Sequence, residues 1–400
     1  MSFANLQIFC EFTKYLQSVY KVAEHLGVLA NLLAEDIRMQ LLFPSRLATR
    51  LLAAASLVVF GGTAAGQHYT QVNLVSNQMG QASHEDSNLV NGWGIARSAT
   101  SPWWVADNGT GKSTIYNGNT GNPSALVVAV PGAPTGIVFN GTSSFVIPGT
   151  GIARFLFASE DGTISGWNSG TQAHVVVATA GAVYKGIAIA TVNGEPRLYA
   201  ADFHNGRVDV FDANFQPVTQ GKGNGSGNGN DGTFFSGKPR DFSPFNVQNV
   251  GDTLFVAFAK KEASGDDEVA GSGLGLIGAF TPAGELIRWF DHVNDLNAPW
   301  GMTMAPSEFG TFSHHLLVGQ FGSGEILAFN PASGQYAGKL LQPGGEPISI
   351  NGLWGIGFGN GGNAGPSTTL FFAAGPDEES NGLFGSLTAV PEDLIQGNSN

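Results

Sequence analysis

The chain has very few cysteines and few charges. Cys10 is the only cysteine among 400 residues, and one thiol can form neither an intrachain disulfide nor a cysteine-ligated zinc site. Charged residues make up 12% of the chain, about half of the usual share. The 18 Lys and Arg are outnumbered by 31 Asp and Glu, giving a formal net charge of −13. Because a nucleic-acid backbone requires clustered cations, we expect no nucleic-acid partner.

Catalytic sequence motifs are also missing. The chain has no GxSxG elbow, no HExxH pair and no phosphate-binding P-loop. The glycine-rich stretch 221–232 lacks a following Lys-Ser/Thr pair, so it is typical of a linker. Whether the protein is an enzyme therefore stays open from the sequence alone.

Glycine and aromatic residues are abundant. The chain contains 57 glycines, and aromatic residues make up 10% of it. A disordered chain would have few aromatics and much charge, and collagen would place glycine at every third position. The composition therefore indicates a globular protein with many turns and apolar strands.

The first 66 residues differ from the rest. Residues 3–38 have a helical pattern, and Met39 begins a segment with Arg46 and Arg50 ahead of the apolar run 51–60. Small residues follow at 63–66, an order typical of a secretory signal, and the apolar run is too short for a permanent membrane span. We therefore predict a secreted or periplasmic protein without membrane contact in its mature form.

The predicted domain organisation follows from this segment. Its four parts are a non-native or helical extension (1–38), a signal peptide (39–66), a folded domain (67–391) and a disordered tail (392–400). The alternative is a genuine extension that ends in an uncleaved anchor.

Six internal repeats follow the signal. Each begins with a short apolar segment that usually contains glycine, and continues with an apolar run, a turn and an alternating strand. The six opening segments are GWGIA at 92–96, TGIVFN at 135–140, KGIAIA at 185–190, FNVQNV at 245–250, WGMTMAP at 300–306 and WGIGFG at 354–359. All-β repeats of about 42–60 residues are typical of propeller blades.

The repeats also predict how the ring closes. The last repeat lacks a fourth strand, whereas an unassigned strand at 69–77 precedes the first repeat. Pairing the two would remove the free edges of the ring. The predicted fold is all-β, a six-bladed β-propeller with an N-terminal strand closing the last blade.

Several long motifs resemble a known family. They are VADNGTG at 105–111, FASEDGTISGWN at 157–168, YAADFHNGRVDVFD at 199–212, FNVQNV at 245–250, NAPWGM at 297–302, GLWGIGFGNG at 352–361 and AAGPDEESNGLFGSLTA at 373–389. These motifs resemble uncharacterised secreted bacterial proteins with an NHL-like six-bladed propeller, over residues 68–391. The resemblance implies the fold and no established activity.

Polar residues recur just after the second strand of each blade, where equivalent loops converge on one end of the central channel. They are Asp107, Asn108, Glu160, Asp161, Asp202, His204, Asn205, Lys260 to Glu262, Gln320, and Asp377 to Glu379. Oxygen ligands of this kind suit calcium, with Asp107, Glu160 and Asp202 as candidate metal ligands. Asp202 and His204 are candidate catalytic residues. The competing interpretation, favoured for any single Asp, is a turn residue that caps local backbone groups.

Two functions remain open. The favoured one is a ligand- or protein-binding or scaffold module, whose partner would be a small molecule, a glycan or a protein. The alternative is a divalent-metal-dependent hydrolase or lyase, similar to propeller lactonases, with its site at the central channel. Trp93, Trp300 and Trp354 could stack on a planar ligand near that channel, although packing between blades is the favoured interpretation.

Overall fold

The computed structural model describes residues 67–218 and 241–391. The predicted extension, signal peptide, glycine-rich linker and tail lie outside the described residues. The two described ranges contain 26 strands, most of them arranged in six sheets. Each sheet is one blade, and a two-stranded hairpin is added beside the second blade.

The strands run in chain order from blade to blade. The first two strands are β1 (Tyr69–Ser76) and β2 (His84–Glu85); blade 1 follows with β3 (Gly92–Ala96), β4 (Trp103–Asp107), β5 (Lys112–Tyr116) and β6 (Val128–Ala129). Blade 2 contains β7 (Pro134–Phe139), the added hairpin β8 (Val146–Ile147) and β9 (Gly151–Ile152), then β10 (Phe155–Ser159), β11 (Thr163–Trp167) and β12 (His174–Ala178), and blade 3 contains β13 (Tyr184–Val192), β14 (Glu195–Asp202) and β15 (Arg207–Phe211). Blade 4 contains β16 (Phe242–Val250), β17 (Thr253–Lys260), β18 (Gly275–Phe280) and β19 (Leu286–Trp289), blade 5 contains β20 (Pro299–Met304), β21 (Leu316–Gln320), β22 (Ile326–Phe329) and β23 (Tyr336–Lys339), and blade 6 contains β24 (Leu353–Phe358), β25 (Leu370–Ala374) and β26 (Leu383–Ala389). Two short 3-10 helices, Asn108–Thr110 and Gly310–Phe312, lie in connections.

The first strands of the six blades form a closed inner ring. Strand β3 contacts β7, β7 contacts β13, and the contacts continue through β16, β20 and β24 back to β3. The opening segments predicted from the sequence are these inner strands. The six-bladed propeller is therefore confirmed.

The closure of the ring is confirmed as well. Strand β1 pairs antiparallel with β26, from Tyr69 opposite Ala389 to Ser76 opposite Leu383. The fourth strand of blade 6 thus comes from the N-terminal side of the domain, and β26 has a partner on both edges. The Tyr69 hydroxyl also donates to Phe309 O at 2.8 Å, which ties β1 to blade 5.

The opener glycines are explained by close approach between inner strands. A Cβ on Gly136 would lie 2.8 Å from Ile187 N and 2.9 Å from Gly186 Cα in the next blade. A Cβ on Gly94 would likewise lie 2.7 Å from Thr135 O. Since backbone atoms obstruct both positions, no side-chain rearrangement relieves the clash. In blade 4, Asn246 lies beside Gly186. The Asn246 side chain donates to Trp300 O at 2.8 Å.

The hydrophobic core is divided among the blade interfaces. Six clusters of buried side chains each combine residues of neighbouring blades. Phenylalanines from several blades contribute to these clusters. Five of them are buried, namely Phe157, Phe211, Phe255, Phe329 and Phe372, and Phe139 packs against one cluster. Apolar residues on both faces of the blades explain the low charge of the sequence.

Candidate functional site

One end of the ring collects the polar loops that the sequence singled out. At this end the inner strand of a blade begins beside the last residue of the second strand of that blade. For example, Gly92 pairs with Asp107 in blade 1, and Tyr184 pairs with Asp202 in blade 3. The connections between the second and third strands of the blades therefore lie around the axis at this end of the ring. We call this end the polar end.

Seven side chains at the polar end form one network, which we call the axial cluster. Its members are Asn91, Asn108, Glu160, Lys185, Asp267, Glu268 and Glu379. They come from blades 1, 2, 3, 4 and 6. The cluster therefore links five of the six blades across the axis.

Lys185 is the centre of the axial cluster. Its side chain is only 1% exposed, and Nζ lies 2.5 Å from Glu160 Oε1 and 2.9 Å from Asp267 Oδ1. Nζ also lies 5.0 Å from the centroid of the Trp93 ring, a cation–π arrangement. One buried ammonium group thus joins blade 3 to blades 2 and 4.

Two amides extend the network to blades 1 and 6. Asn108 Nδ2 donates to Glu160 Oε2 at 2.8 Å, and Asn91 Nδ2 donates to Glu379 Oε1 at 3.0 Å. Asp377, Glu378 and Glu379 all have left-handed backbone angles, with φ of 57°, 54° and 65°. Such angles are unfavourable for residues other than glycine. This unusual turn places Glu379 against Asn91 and leaves Asp377 and Glu378 exposed.

The carboxylates of the cluster are crowded. Burial raises the pKa of Glu268 to about 7 against the opposing effect of Lys185, and Glu379 and Asp267 add smaller effects in the direction of burial. Burial likewise raises the pKa of Glu379. For Lys185, burial alone would lower the pKa, but Glu160 and Glu268 raise it above its ordinary value. Lys185 is therefore a cation, and four carboxylates surround it.

Aromatic side chains close the axis beneath the cluster. Trp93 stacks on Trp354 at a centroid distance of 3.6 Å, Trp354 stacks on Phe321 at 4.0 Å, and Trp300 meets Trp93 edge to face at 6.0 Å. The three tryptophans are 0–4% exposed. They pack with one another on the axis, whereas the sequence favoured packing between blades. Trp300 Nε1 donates to Lys185 O, which links these aromatic side chains to the cluster.

A small cavity lies on the axis beside Trp300. It has a volume of about 20 Å³, and its walls include Gly136, Gly301, Asn246, Gln248 and Trp300. This volume accommodates about one water molecule.

Among the predicted ligand residues, Asn108 and Glu160 belong to the axial cluster, as does Glu379. Asp161 instead accepts hydrogen bonds from the backbone and side chain of Thr163, as expected of a turn residue. Gln320 accepts from Asn297 N and donates to Val318 O. Neither side chain reaches the cluster.

Asp107 and Asp202 are buried away from the cluster. Thr114 Oγ1 donates to Asp107 Oδ1 at 3.2 Å, Asp107 is fully buried, and burial raises its pKa well above the usual range. Asp202 accepts from the Asn205 side chain and from Val183 N, which secures its turn. The candidate metal ligands Asp107, Glu160 and Asp202 are therefore engaged in separate contacts. Across residues 67–218 and 241–391, no three His, Asp, Glu or Cys side chains are arranged to hold a metal ion.

His204 has a different acidic partner from the one that the sequence suggested. Its Nδ1 lies 2.6 Å from Asp266 Oδ1, whereas Asp202 contacts Asn205 and Arg207. The His204 and Asp266 side chains are 42% and 55% exposed. Asp266 lies in the long β17–β18 connection, far from His204 in sequence, so no local sequence motif predicts this contact.

Lys185, Asn91, Asp267 and Glu268 were missed by the sequence analysis. A signal for Lys185 does exist, because it occupies the position before the opener glycine that Trp93, Trp300 and Trp354 occupy in other blades. A lysine in place of a buried aromatic residue implies a partner of opposite charge. Asp267 and Glu268 lie in a polar insertion with no counterpart in the other repeats, so their position on the axis could not be predicted.

Relatives of this chain occur in Acanthamoeba polyphaga mimivirus. Uncharacterized protein R648 is 32% identical over 339 residues, covering 78% of each chain. Uncharacterized protein L690 is 32% identical over 338 residues, covering 78% of this chain and 84% of that protein. This chain belongs to their family. The relatives found are thus viral rather than secreted bacterial proteins, so the predicted resemblance holds for the propeller fold, and its NHL-like character stays a prediction.

Solved propellers show only a distant likeness. A streptogramin B lyase has 12% sequence identity and a TM-score of 0.48, with 81% of this chain and 98% of that chain covered. Virginiamycin B lyase from Staphylococcus aureus has 12% identity and a TM-score of 0.46, over 81% and 100%. These values carry no argument about activity. No protein-family model matches the chain. The described parts of the chain contain no helix with the length and apolar character of a membrane span.

Proposed function

We propose that this protein is a binding module whose polar end receives a positively charged group of a ligand or protein partner. The observation that carries the proposal is the excess of carboxylates around Lys185. Four acidic side chains face one ammonium group, and burial, with smaller effects of Glu379 and Asp267, keeps the pKa of Glu268 near 7. A second cation would relieve the repulsion among these carboxylates.

The closed axis supports a surface role. The tryptophans fill the space beneath Lys185, so a ligand would contact the rim of the polar end rather than enter the ring. Lys185 itself illustrates the chemistry, since an ammonium group there contacts carboxylates and an aromatic face together. The alternative of a metal-dependent hydrolase or lyase has no comparable support among the described side chains.

Binding of a hexalysine peptide tests the proposal by calorimetry at pH 8 and low salt. We expect Glu379→Gln to weaken binding about fivefold, the effect of roughly 1 kcal/mol, and 0.5 M salt to weaken it further. Glu346→Gln is the matched control, because Glu346 is an exposed carboxylate outside the cluster. Equal weakening by both variants would show non-specific attraction to an acidic protein and would contradict a site at the polar end.

We also propose that the propeller is secreted or periplasmic after cleavage of a signal peptide. The proposal is supported by the basic and apolar order of residues 46–60 and by the position of Gln67. Gln67 is 4% exposed, and its side chain donates to Val390 O at 3.3 Å, so Gln67 is already part of the propeller. N-terminal sequencing of the native protein should give a start at Gly66 or Gln67; a start at Met1 or Ser2 would contradict it.

A further inference from the structure

The connection between β17 and β18 is unlike the other loops at the polar end. It spans residues 261–274, whereas the equivalent connections in blades 1, 2 and 3 are 108–111, 160–162 and 203–206. We call residues 262–268 the strap. The strap folds back on itself, with Glu262 N donating to Asp267 O at 3.0 Å.

The base of the strap is fixed by backbone groups. Val269 N donates to Lys260 O at 2.8 Å, and Gly273 N donates to Asn294 O at 2.9 Å. Gly271 N donates to the side chain of Asn297 at 2.6 Å. These bonds hold both ends of the connection to blades 4 and 5, and they do not depend on the position of the strap.

The tip of the strap is held differently, by charged side chains of blade 3. Asp267 accepts from Lys185 Nζ at 2.9 Å, and Asp266 lies 2.6 Å from His204 Nδ1. Lys261, at the start of the connection, donates to His204 O at 2.7 Å. The His204–Asp266 contact is a full ion pair only when the imidazole is protonated.

Glu268 is the third acidic residue in succession on the strap, and its charge opposes the closed position. It faces Glu379 and the strap's own Asp267, with Lys185 as the attracting cation and Glu160 behind it. Lys261 lies across the hairpin from Glu268. Ionising Glu268 therefore adds a fourth carboxylate to a group with one buried ammonium.

We propose that the strap is a pH-dependent cover of the axial cluster, held down at acidic pH and loosened as the pH rises to neutrality. Acid makes Glu268 neutral and so removes one negative charge from the group around Lys185. The strap motion stands on these contacts and on the burial of Glu268, whereas its effect on ligand access rests on the proposed binding function.

The direction follows from linkage. Burial raises the pKa of Glu268 in the closed strap from its ordinary value of 4.5 to about 7. An opened strap would return Glu268 to water, so the closed form binds the proton more tightly and is favoured at low pH. Its advantage declines as the pH rises from about 4.5 and is gone above about 7.

Amide hydrogen exchange of the full chain without ligand tests the strap. Protection factors, corrected for the intrinsic exchange rate at each pH, are compared at pH 5.5 and pH 8.0. We expect protection across 262–268 to fall about 30-fold at the higher pH, because the closed form loses about 1.5 pH units of proton linkage between pH 5.5 and about 7, with blades 1 and 6 unchanged. Equal strap protection at both values would overturn the proposal.

Three variants identify the groups responsible. Glu268→Gln should remove the pH dependence and keep the strap protected, whereas Glu262→Gln, an exposed strap residue, should behave as the wild type. Asp267→Asn should lower strap protection at both pH values because the Lys185 contact is weakened. A full pH response in Glu268→Gln would overturn the role of that residue. Failure of hexalysine binding alone would affect the proposed function and leave the strap result unchanged.

Discussion

Deletion of residues 67–77 lowers the thermal unfolding midpoint of the propeller by about 10 °C or more, the equivalent of several kcal/mol in a domain of this size. Strand β1 supplies one edge of blade 6 and pairs with β26 over its whole length. Without β1, β26 would present unpaired backbone groups to solvent, and the buried side chains of Tyr69 and Val75 would be lost from two interfaces. Circular dichroism during heating measures the effect.

A matched pair on the same strand separates packing from strand pairing. Val75 is fully buried and Val72 is 43% exposed. Val75→Ala should destabilise the propeller by about 2 kcal/mol, and Val72→Ala by less than about 0.5 kcal/mol. An unchanged melting temperature after deletion of the strand would show that the ring does not depend on this closure.

The fold could be predicted because each blade repeats the same physical solution. Gly94, Gly136 and Gly186 recur where inner strands approach too closely for a Cβ, and the apolar runs recur where blades face each other. The one opening segment without glycine is that of blade 4, where Asn246 occupies the equivalent position. The hairpin β8–β9 has no counterpart in other blades, and repetition therefore could not reveal it.

The site could be predicted only in part, because the geometry of the ring positions some of its residues and local turn contacts determine the others. Glu160 and Asn108 follow second strands, and the geometry of a ring carries such positions toward the axis. Asp161 and Asp202 share that placement, yet turn contacts engage them. Which of two adjacent acidic residues turns inward depends on backbone angles within the loop. The central cation, Lys185, lies on an inner strand that was interpreted as apolar.

Replacement of Lys185 by methionine destabilises the propeller by roughly 3 kcal/mol at pH 8, the lower end of the range for removing one partner of a buried ion pair. The lower end applies because the Lys185 side chain is 1% exposed but Glu160 and Asp267 are 30% and 64% exposed. Methionine keeps the apolar volume of the side chain over Trp93 and removes the charge. Urea unfolding followed by tryptophan fluorescence measures the loss.

The loss should shrink in acid. Without Lys185 the pKa values of Glu268 and Glu379 rise further, so the folded state binds more protons than the unfolded chain, where Glu has its ordinary value of 4.5. The variant is therefore most stable at low pH and loses stability as the pH rises through about 7 and beyond. Lys339→Met is the control, because Lys339 pairs with Glu325 and Asp295 but is 23% exposed; it should change stability by at most about 1 kcal/mol. If Lys185→Met were equally destabilised at pH 5 and pH 8, its contribution would be packing over Trp93, and the carboxylates would not act as one charged group.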